Sequence, residues 1–164
     1  MGGRKYDGII VVDLESTCYE NDEWPEGESR DIIEIGAAFL NTQTWEIEKI
    51  NGILIRPWNS KVSEFCTELT SLTYEQLRRE GCYDFKQAVA RFQKLYGPAQ
   101  RAWASWGMWD KWAIERQCER DEVPYFMGRS HLNIKDLYSI VKGHNKGLYL
   151  GTALDMENLP RDGR

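Results

Sequence analysis

The amino-acid sequence predicts an α/β fold in which a mixed central sheet is flanked by helices. Three strand-like segments follow one another in the first third of the chain, which is typical of an antiparallel meander. After residue 62 the hydrophobic period changes, and apolar residues recur at helical spacing with two more short strand-like segments among them. A meander followed by helices favours a mixed sheet with an antiparallel portion.

The first strand is predicted at residues 8–17, GIIVVDLEST, where four consecutive β-branched residues indicate burial on both faces. This strand carries Asp13 and Glu15 at its end, and side chains two positions apart in an extended backbone point to the same side. Two carboxylates held so close repel each other unless a cation lies between them, and oxygen ligands suit Mg²⁺ or Mn²⁺. The pair is therefore either half of a metal site or a solvated strand end whose acids face water.

The remaining elements follow from the same patterns. Apolar residues at 85, 88, 89, 92 and 95 predict a helix, and Gly97 and Pro98 end it. The other predicted strands are residues 31–41, 45–56, 101–106 and 131–134, and the predicted helices are residues 73–79, 84–96, 109–120, 135–141 and 150–159.

A third acid, Asp110, occupies the first turn of the helix predicted at Trp109–Arg120. A carboxylate is electrostatically favoured there by the helix N-terminus, which is a structural explanation for it. Its position directly after a strand also allows it to reach a site at the edge of the sheet.

Composition limits the classes of function. The 164 residues fit one domain with a single core, and 41% of them are hydrophobic, which argues against a disordered chain. A formal net charge of -5 disfavours a protein that coats duplex nucleic acid through a broad basic field. The four cysteines form no CxxC pair, which excludes a zinc knuckle or a redox motif of that type. Without a signal peptide or long apolar run we expect a cytoplasmic protein that binds no membrane.

Three motifs in order resemble one family. DLESTC at residues 13–18, FCTELTSL at 65–72 and SWGMWD at 105–110 are similar to motifs of the DEDDh branch of DnaQ-like 3'-to-5' exonucleases, nearest to the enhanced-RNAi type of RNA exonuclease. The resemblance covers residues 7–160. It implies a ribonuclease-H-like fold and hydrolysis of single-stranded nucleic acid from its 3' end to mononucleotides, with RNA favoured over DNA.

The resemblance also implies a site. It makes Asp13 and Glu15 the first metal-binding pair and Asp110 the third acid of a centre that holds two Mg²⁺ or Mn²⁺ ions. It places the backbone of Leu14 and the side chain of Thr17 near the terminal nucleotide.

The aromatic run at residues 103–112 offers Trp106 and Trp109 for stacking on bases, because both flank the turn beside the third acid. Packing of these rings into the core is the alternative explanation for each of them.

The last motif of the family, His followed five positions later by Asp, is missing where relatives carry it. His131 and Asp136 have the right separation in HLNIKD, but they lie where relatives have a strand running into a helix, and we interpret them as structural. Three explanations account for the missing motif. Residues 1–164 are a single exonuclease domain that is truncated, the motif has degenerated, or another chain supplies it. We expect weak metal binding and reduced activity, because a general base commonly contributes about 10² to 10⁴ in rate.

Loss of the helix that carries this motif would leave apolar surface bare, so self-association is a further expectation. Two other functions remain open at this point. One is a nucleic-acid-binding or regulatory module that keeps the fold without turnover, and the other is an acid-cluster phosphoesterase that cuts within strands.

Overall fold

The computed structural model describes residues 5–161, and in this part of the chain five strands form one sheet. The strands are β1 (Gly8–Ser16), β2 (Ile32–Asn41), β3 (Ile47–Leu54), β4 (Ala102–Ser105) and β5 (His131–Asn133). The helices are α1 (Glu64–Thr70), α2 (Tyr74–Leu77), α3 (Phe85–Tyr96), α4 (Trp109–Arg120), α5 (Ile134–Val141) and α6 (Leu150–Met156). Residues 1–4 and 162–164 of the predicted domain lie outside the described residues.

The sheet is mixed, as predicted. Its strand order is β3-β2-β1-β4-β5, so the first strand of the chain lies at its centre. β1, β2 and β3 form the antiparallel meander, whereas β4 and β5 join β1 in parallel. All five strands begin and end within two residues of their predicted limits, and α4 has its predicted limits. The last helix ends at Met156, three residues earlier than predicted, and Asn158 beyond it has a positive φ of 53°.

One expectation for β1 needs correction. The strand is fully buried on one face only, through Ile10, Val12 and Leu14, whereas Ile9 and Val11 on the other face are half-buried. The acids Asp13 and Glu15 lie towards the end of the strand, as predicted, and β1 continues to Ser16 by pairing with β2.

The main core lies between the first face of the sheet and helices α3 and α4. Trp103 of β4 and Phe92 of α3 have no exposed surface, and the face of β1 that carries Ile10 packs into the same cluster. This packing fixes β1 and β4 side by side. The two strands that lead to the acids are therefore set by the best-buried part of the molecule.

Apolar side chains remain exposed outside this core. On α5, Leu137, Ile140 and Val141 are 55%, 73% and 72% exposed, and Leu132 of β5 is 39% exposed. Exposed apolar groups collected on one helix and the strand before it are uncommon on an isolated monomer. No described helix is long and apolar enough to cross a membrane.

Asp31 ties three segments together behind β1. Its buried carboxylate accepts the backbone N–H groups of Trp58, Asn59 and Ser60 at 3.0, 2.7 and 3.0 Å. The same carboxylate pairs with the guanidinium of Arg120 at the end of α4. A buried charge with this many partners costs much if one partner is lost.

Asp31→Asn should therefore lower the free energy of unfolding by about 1.5–3 kcal/mol, because Arg120 would keep Asp121 but lose one of its two carboxylate partners, and three backbone N–H groups would lose a charged acceptor. Asp22→Asn is the matched control, since its ion pair with Arg30 is solvent-exposed and such pairs contribute about 1 kcal/mol or less. Urea unfolding followed by tryptophan fluorescence measures both. Equal small losses in the two variants would contradict the role given to Asp31.

Candidate active site at the carboxyl end of β1

A crevice opens where β1 and β4 stop pairing. The parallel ladder joins only residues 9–11 of β1 to residues 102–104 of β4, whereas β1 runs on to Ser16 against β2. β4 ends at Ser105, and Gly107 turns the chain with a φ of 108°, a conformation that favours glycine. α4 begins two residues later, so its first turn faces the unpaired edge of β1. Such crevices at the carboxyl ends of strands are common ligand sites in α/β sheets.

Asp110 enters this crevice from the first turn of α4. It is 5% exposed, and its Oδ1 accepts the backbone N–H of Leu14 at 3.2 Å. Burial and the negative charge of Asp13 together raise the pKa of Asp110 to about 6. The Leu14 N–H and the Ser105 hydroxyl act in the opposite direction by binding the charged form. The effect of Asp13 on this pKa places its carboxylate near that of Asp110.

Asp13 is more exposed than Asp110, but the surrounding protein still desolvates its carboxyl group and raises its pKa. The nearby Leu14 N–H opposes that shift by favouring the charged form, although its hydrogen bond goes to Asp110. The two acids thus lie around one backbone amide. Two desolvated carboxyl groups with raised pKa values form a set that a divalent cation would stabilise.

Glu15 lies two residues further along the same face of β1 and is half-buried. It lines a surface depression together with Asp13 and with Glu34, its cross-strand neighbour on β2. Within residues 5–161, however, no three His, Cys, Asp or Glu side chains are grouped closely enough to hold a metal ion. The structure therefore brings Asp13 and Asp110 together and places Glu15 beside Asp13, without closing a three-acid cluster.

The chemistry of these donors fits a hard divalent cation. Asp110 is buried, its Oδ1 accepts a backbone N–H, and its pKa is raised first by burial and then by the charge of Asp13. A cation between Asp13 and Asp110 would relieve that repulsion, and carboxylate oxygens are the ligands that Mg²⁺ and Mn²⁺ prefer.

The two residues expected near a terminal nucleotide have other partners. The Leu14 N–H is occupied by Asp110, and the Leu14 side chain lies in the core. Thr17 has no exposed surface; its hydroxyl lies 2.6 Å from the Ser60 hydroxyl and accepts the N–H of Asp31 at 2.8 Å. The expectation that Thr17 contacts a nucleotide is therefore corrected, because its side chain is used to hold the loop behind β1.

The two candidate tryptophans differ. Trp106 is half-buried, donates its indole N–H to the carbonyl of Leu148 at 3.0 Å and packs beside Tyr138, so it joins the loop after α5 to β4. Trp109 is 39% exposed at the mouth of the crevice. The structure thus gives Trp106 a packing role and leaves the Trp109 ring accessible.

His131 and Asp136 have structural partners. A ring nitrogen of His131 lies 2.9 Å from the Ser105 hydroxyl, and its ring packs on Trp103 at 4.2 Å. Asp136 bonds to Asn133, which caps α5. These contacts agree with the interpretation of HLNIKD as local structure.

Sequence reasoning missed two features beside the acids. Ser105, within the motif SWGMWD, donates its hydroxyl to the Gly107 carbonyl, faces His131 and lowers the pKa of Asp110, but a single serine at a strand end carries no pattern. Arg116 lies on the same face of α4 as Trp109 and Trp112, and its helical spacing from them was readable in the sequence. The spacing indicates a binding surface only because the loop at residues 18–31 lies opposite this face of α4.

Known exonucleases are similar to this chain in sequence. Residues 10–140 match the family described as Exonuclease. The chain is 30% identical over 171 residues to 3'-5' exoribonuclease 1 of Homo sapiens, an alignment that covers 97% of this chain and 47% of that protein. It is 40% identical over 100 residues to the 3'-5' exonuclease Snipper of Drosophila melanogaster, covering 60% of this chain and 35% of that protein. The chain thus spans about half or less of the length of these relatives.

A solved structure extends the likeness to the fold. The nuclease domain of 3'hExo, described as a DEDDh family member bound to rAMP, superposes with a TM-score of 0.81 at 28% identity. That superposition covers 99% of this chain and 84% of the other. The ribonuclease-H-like exonuclease fold predicted for this chain is therefore confirmed.

Asp110→Asn should stabilise the protein at pH 7 in the absence of divalent cations. A carboxyl group whose pKa rises on folding from 3.8 to about 6 contributes full stability below pH 3.8 and loses it as the pH rises through 6. An uncharged amide avoids that loss, so the gain should be about 3 kcal/mol at pH 7, shrinking as the pH falls from 6 towards 4. Chemical denaturation at several pH values in EDTA measures it.

Asp136→Asn is the matched control, because Asp136 also lies in the first turn of a helix but is exposed. It should lose up to about 1 kcal/mol through the helix dipole. A destabilised Asp110→Asn protein would contradict the electrostatic account of the crevice.

Proposed function

This chain belongs to the exonuclease family, and from that premise we propose that it is a metal-dependent 3'-to-5' exonuclease that shortens single-stranded RNA to mononucleotides. The observation that carries the proposal is the pairing of Asp13 with the buried Asp110 at the open end of β1. Acids so placed suit a phosphodiester better than an uncharged substrate, because a cation held by them attracts the phosphate.

Asp13 and Asp110 are the residues that would hold Mg²⁺ or Mn²⁺, with Glu15 as the third acid. When bound, such ions supply an activated water nucleophile and stabilise the leaving 3' oxygen. The chain's own contribution is positional: the Leu14 N–H fixes the Asp110 carboxylate, and the core beneath β1 and β4 fixes both elements. Rigid placement of this kind is worth several kcal/mol of barrier.

Substrate recognition in this proposal starts at the mouth of the crevice. The accessible ring of Trp109 stacks on the terminal base, and stacking tolerates any base sequence. RNA is favoured over DNA through the relatives, of which one is named an exoribonuclease. One structural neighbour at 27% identity and a TM-score of 0.79, covering 97% of this chain and 73% of its own, is described as recognising the 3' end of a histone mRNA stem-loop.

A second candidate is a nucleic-acid-binding module that keeps the fold without turnover. It is favoured by one observation, that the described residues form no three-acid cluster. The two candidates differ in their need for a cation, since binding by the module should survive EDTA whereas cleavage should not.

Degradation of a 5'-labelled single-stranded RNA in Mg²⁺ or Mn²⁺ tests the exonuclease. We expect a ladder that shortens from the 3' end, disappears in EDTA, and falls at least about 100-fold in rate in Asp13→Ala, since even residues that only support metal ligands contribute 10–100-fold. Asp136→Ala, a change at an exposed acid outside the crevice, should keep the wild-type rate. RNA bound without any shortening would select the module, and internal fragments would select an endonuclease.

We also propose self-association through the exposed apolar residues of α5. Ile140→Glu should shift the protein towards monomer in sedimentation velocity at micromolar concentration, because it places a charge in the buried contact. Glu75→Lys, on the exposed surface of α2, is the control and should leave the distribution unchanged. A wild-type protein that is monomeric at all concentrations would contradict the proposal.

A further inference from the structure

A cleft of about 530 Å³ lies beside the crevice, between the loop at residues 18–31 and the outer face of α4. We name it the tryptophan-arginine cleft after the side chains that dominate its lining, Trp24, Arg30, Trp109, Trp112, Arg116 and Arg120. Ser16, the last residue of β1, also lines it, and Trp109 precedes Asp110. The cleft therefore adjoins the crevice at the first turn of α4, where Trp109 precedes Asp110, and runs from there along the helix.

The rings of Trp24 and Trp109, at the near end of the cleft, are held in position by neighbouring side chains. The guanidinium of Arg30 lies 5.3 Å from the ring of Trp24 and 5.7 Å from the ring of Trp109. Asp22 fixes this arrangement by accepting from Arg30 at 2.8 Å and from the Trp24 indole N–H at 2.7 Å. These contacts hold the Trp24 and Trp109 side chains in place at the mouth of the cleft and occupy the Arg30 guanidinium, so the accessible stacking surfaces are those of the tryptophan rings.

One guanidinium of the cleft is available to an anionic ligand, although the chain as a whole carries a net charge of -5. Arg116 is exposed, and within the described chain no carboxylate forms an ion pair with it. Asp22 and Glu28 also line the cleft and carry negative charge, but Asp22 pairs with Arg30, and the Tyr19 hydroxyl and the Lys61 N–H donate to Glu28. Arg116 is therefore the position in the described lining where a phosphate would meet a guanidinium without a carboxylate partner.

Arg120 closes the far end rigidly. Its guanidinium pairs with Asp31 and Asp121 and donates to the carbonyl of Arg30, so it shapes the cleft without being available as a separate ligand. From Trp109 to Arg120 the helix rises about 16 Å. One nucleotide step in a strand is about 3.4 Å, so the cleft is long enough for more than one nucleotide.

We infer that the tryptophan-arginine cleft binds the nucleotides on the 5' side of the scissile phosphodiester, with a base stacked on Trp112 and a phosphate on Arg116. The inference rests on the proposed function and extends it, since it assigns the path of the strand away from the acids. It also explains how an acidic protein holds RNA, because binding is concentrated in one short cleft of rings and guanidinium groups.

Fluorescence anisotropy of a 5'-labelled eight-nucleotide single-stranded RNA tests the cleft in EDTA, where cleavage is suppressed. Trp112→Ala removes a ring that is 53% exposed, so the fold should survive, and affinity should fall about 5- to 150-fold. Trp112→Phe should recover most of it. Arg116→Ala should flatten the slope of log Kd against log salt by about 0.7, the value for one phosphate on a single strand.

Arg129→Ala is the matched control, since Arg129 is exposed just before β5, at the opposite end of the sheet from the acids. It should leave both affinity and salt slope unchanged. Unchanged affinity in both cleft variants would overturn the inference, as would equal losses in all three variants or a wild-type protein that binds no RNA.

The outcome is separable from that of the proposed function. Cleft-dependent binding without a cleavage ladder in Mg²⁺ would support the cleft and reject the exonuclease, whereas a ladder with cleft-independent binding would do the reverse.

Discussion

The Leu14 N–H group is the contact on which the candidate site depends. It joins the carboxyl-terminal part of the central strand to the first turn of α4, two positions that are 96 residues apart in the chain. The contact is possible because β4 stops pairing with β1 at residue 104, so the next part of the β1 edge remains open to another acceptor. The Asp110 carboxylate satisfies this backbone N–H in place of a strand carbonyl.

The same arrangement is electrostatically unfavourable without a cation. A buried carboxylate beside a second carboxylate opposes folding, as the pKa of about 6 for Asp110 expresses. The core beneath the site offsets this, since Trp103 and Ile10 pack directly behind it with no exposed surface. The site is thus less stable than its surroundings, which is a common property of sites whose missing partner is a ligand.

Local patterns predicted the parts of the structure that are set by local physics. The β-branched run predicted the β1 strand, and the helix predicted at residues 109–120 has the limits of α4. The convergence of Asp13 and Asp110 was implied by the family resemblance, since local patterns showed only that Asp110 could reach the sheet edge. Thr17 was not readable, because its burial depends on Ser60, a residue 43 positions away that belongs to no motif. Trp106 is half-buried and Trp109 is accessible because the loop around Leu148 packs against Trp106. The burial of Thr17, Trp106 and Trp109 is therefore set by tertiary contacts and not by local propensity.

The order of the strands in the chain has a consequence for how the protein folds. β1, β2 and β3 pair with near neighbours in sequence, so their loops close at little entropic cost, whereas β4 must return to β1 across most of the chain. Contacts of such high sequence separation are slow to form. During synthesis, β1, β2 and β3 leave the ribosome before residue 110 is added. Asp13 and the Leu14 N–H therefore remain exposed on a partly folded chain until β4 pairs with β1. A growing chain therefore acquires its paired acids late, after much of its sheet has formed.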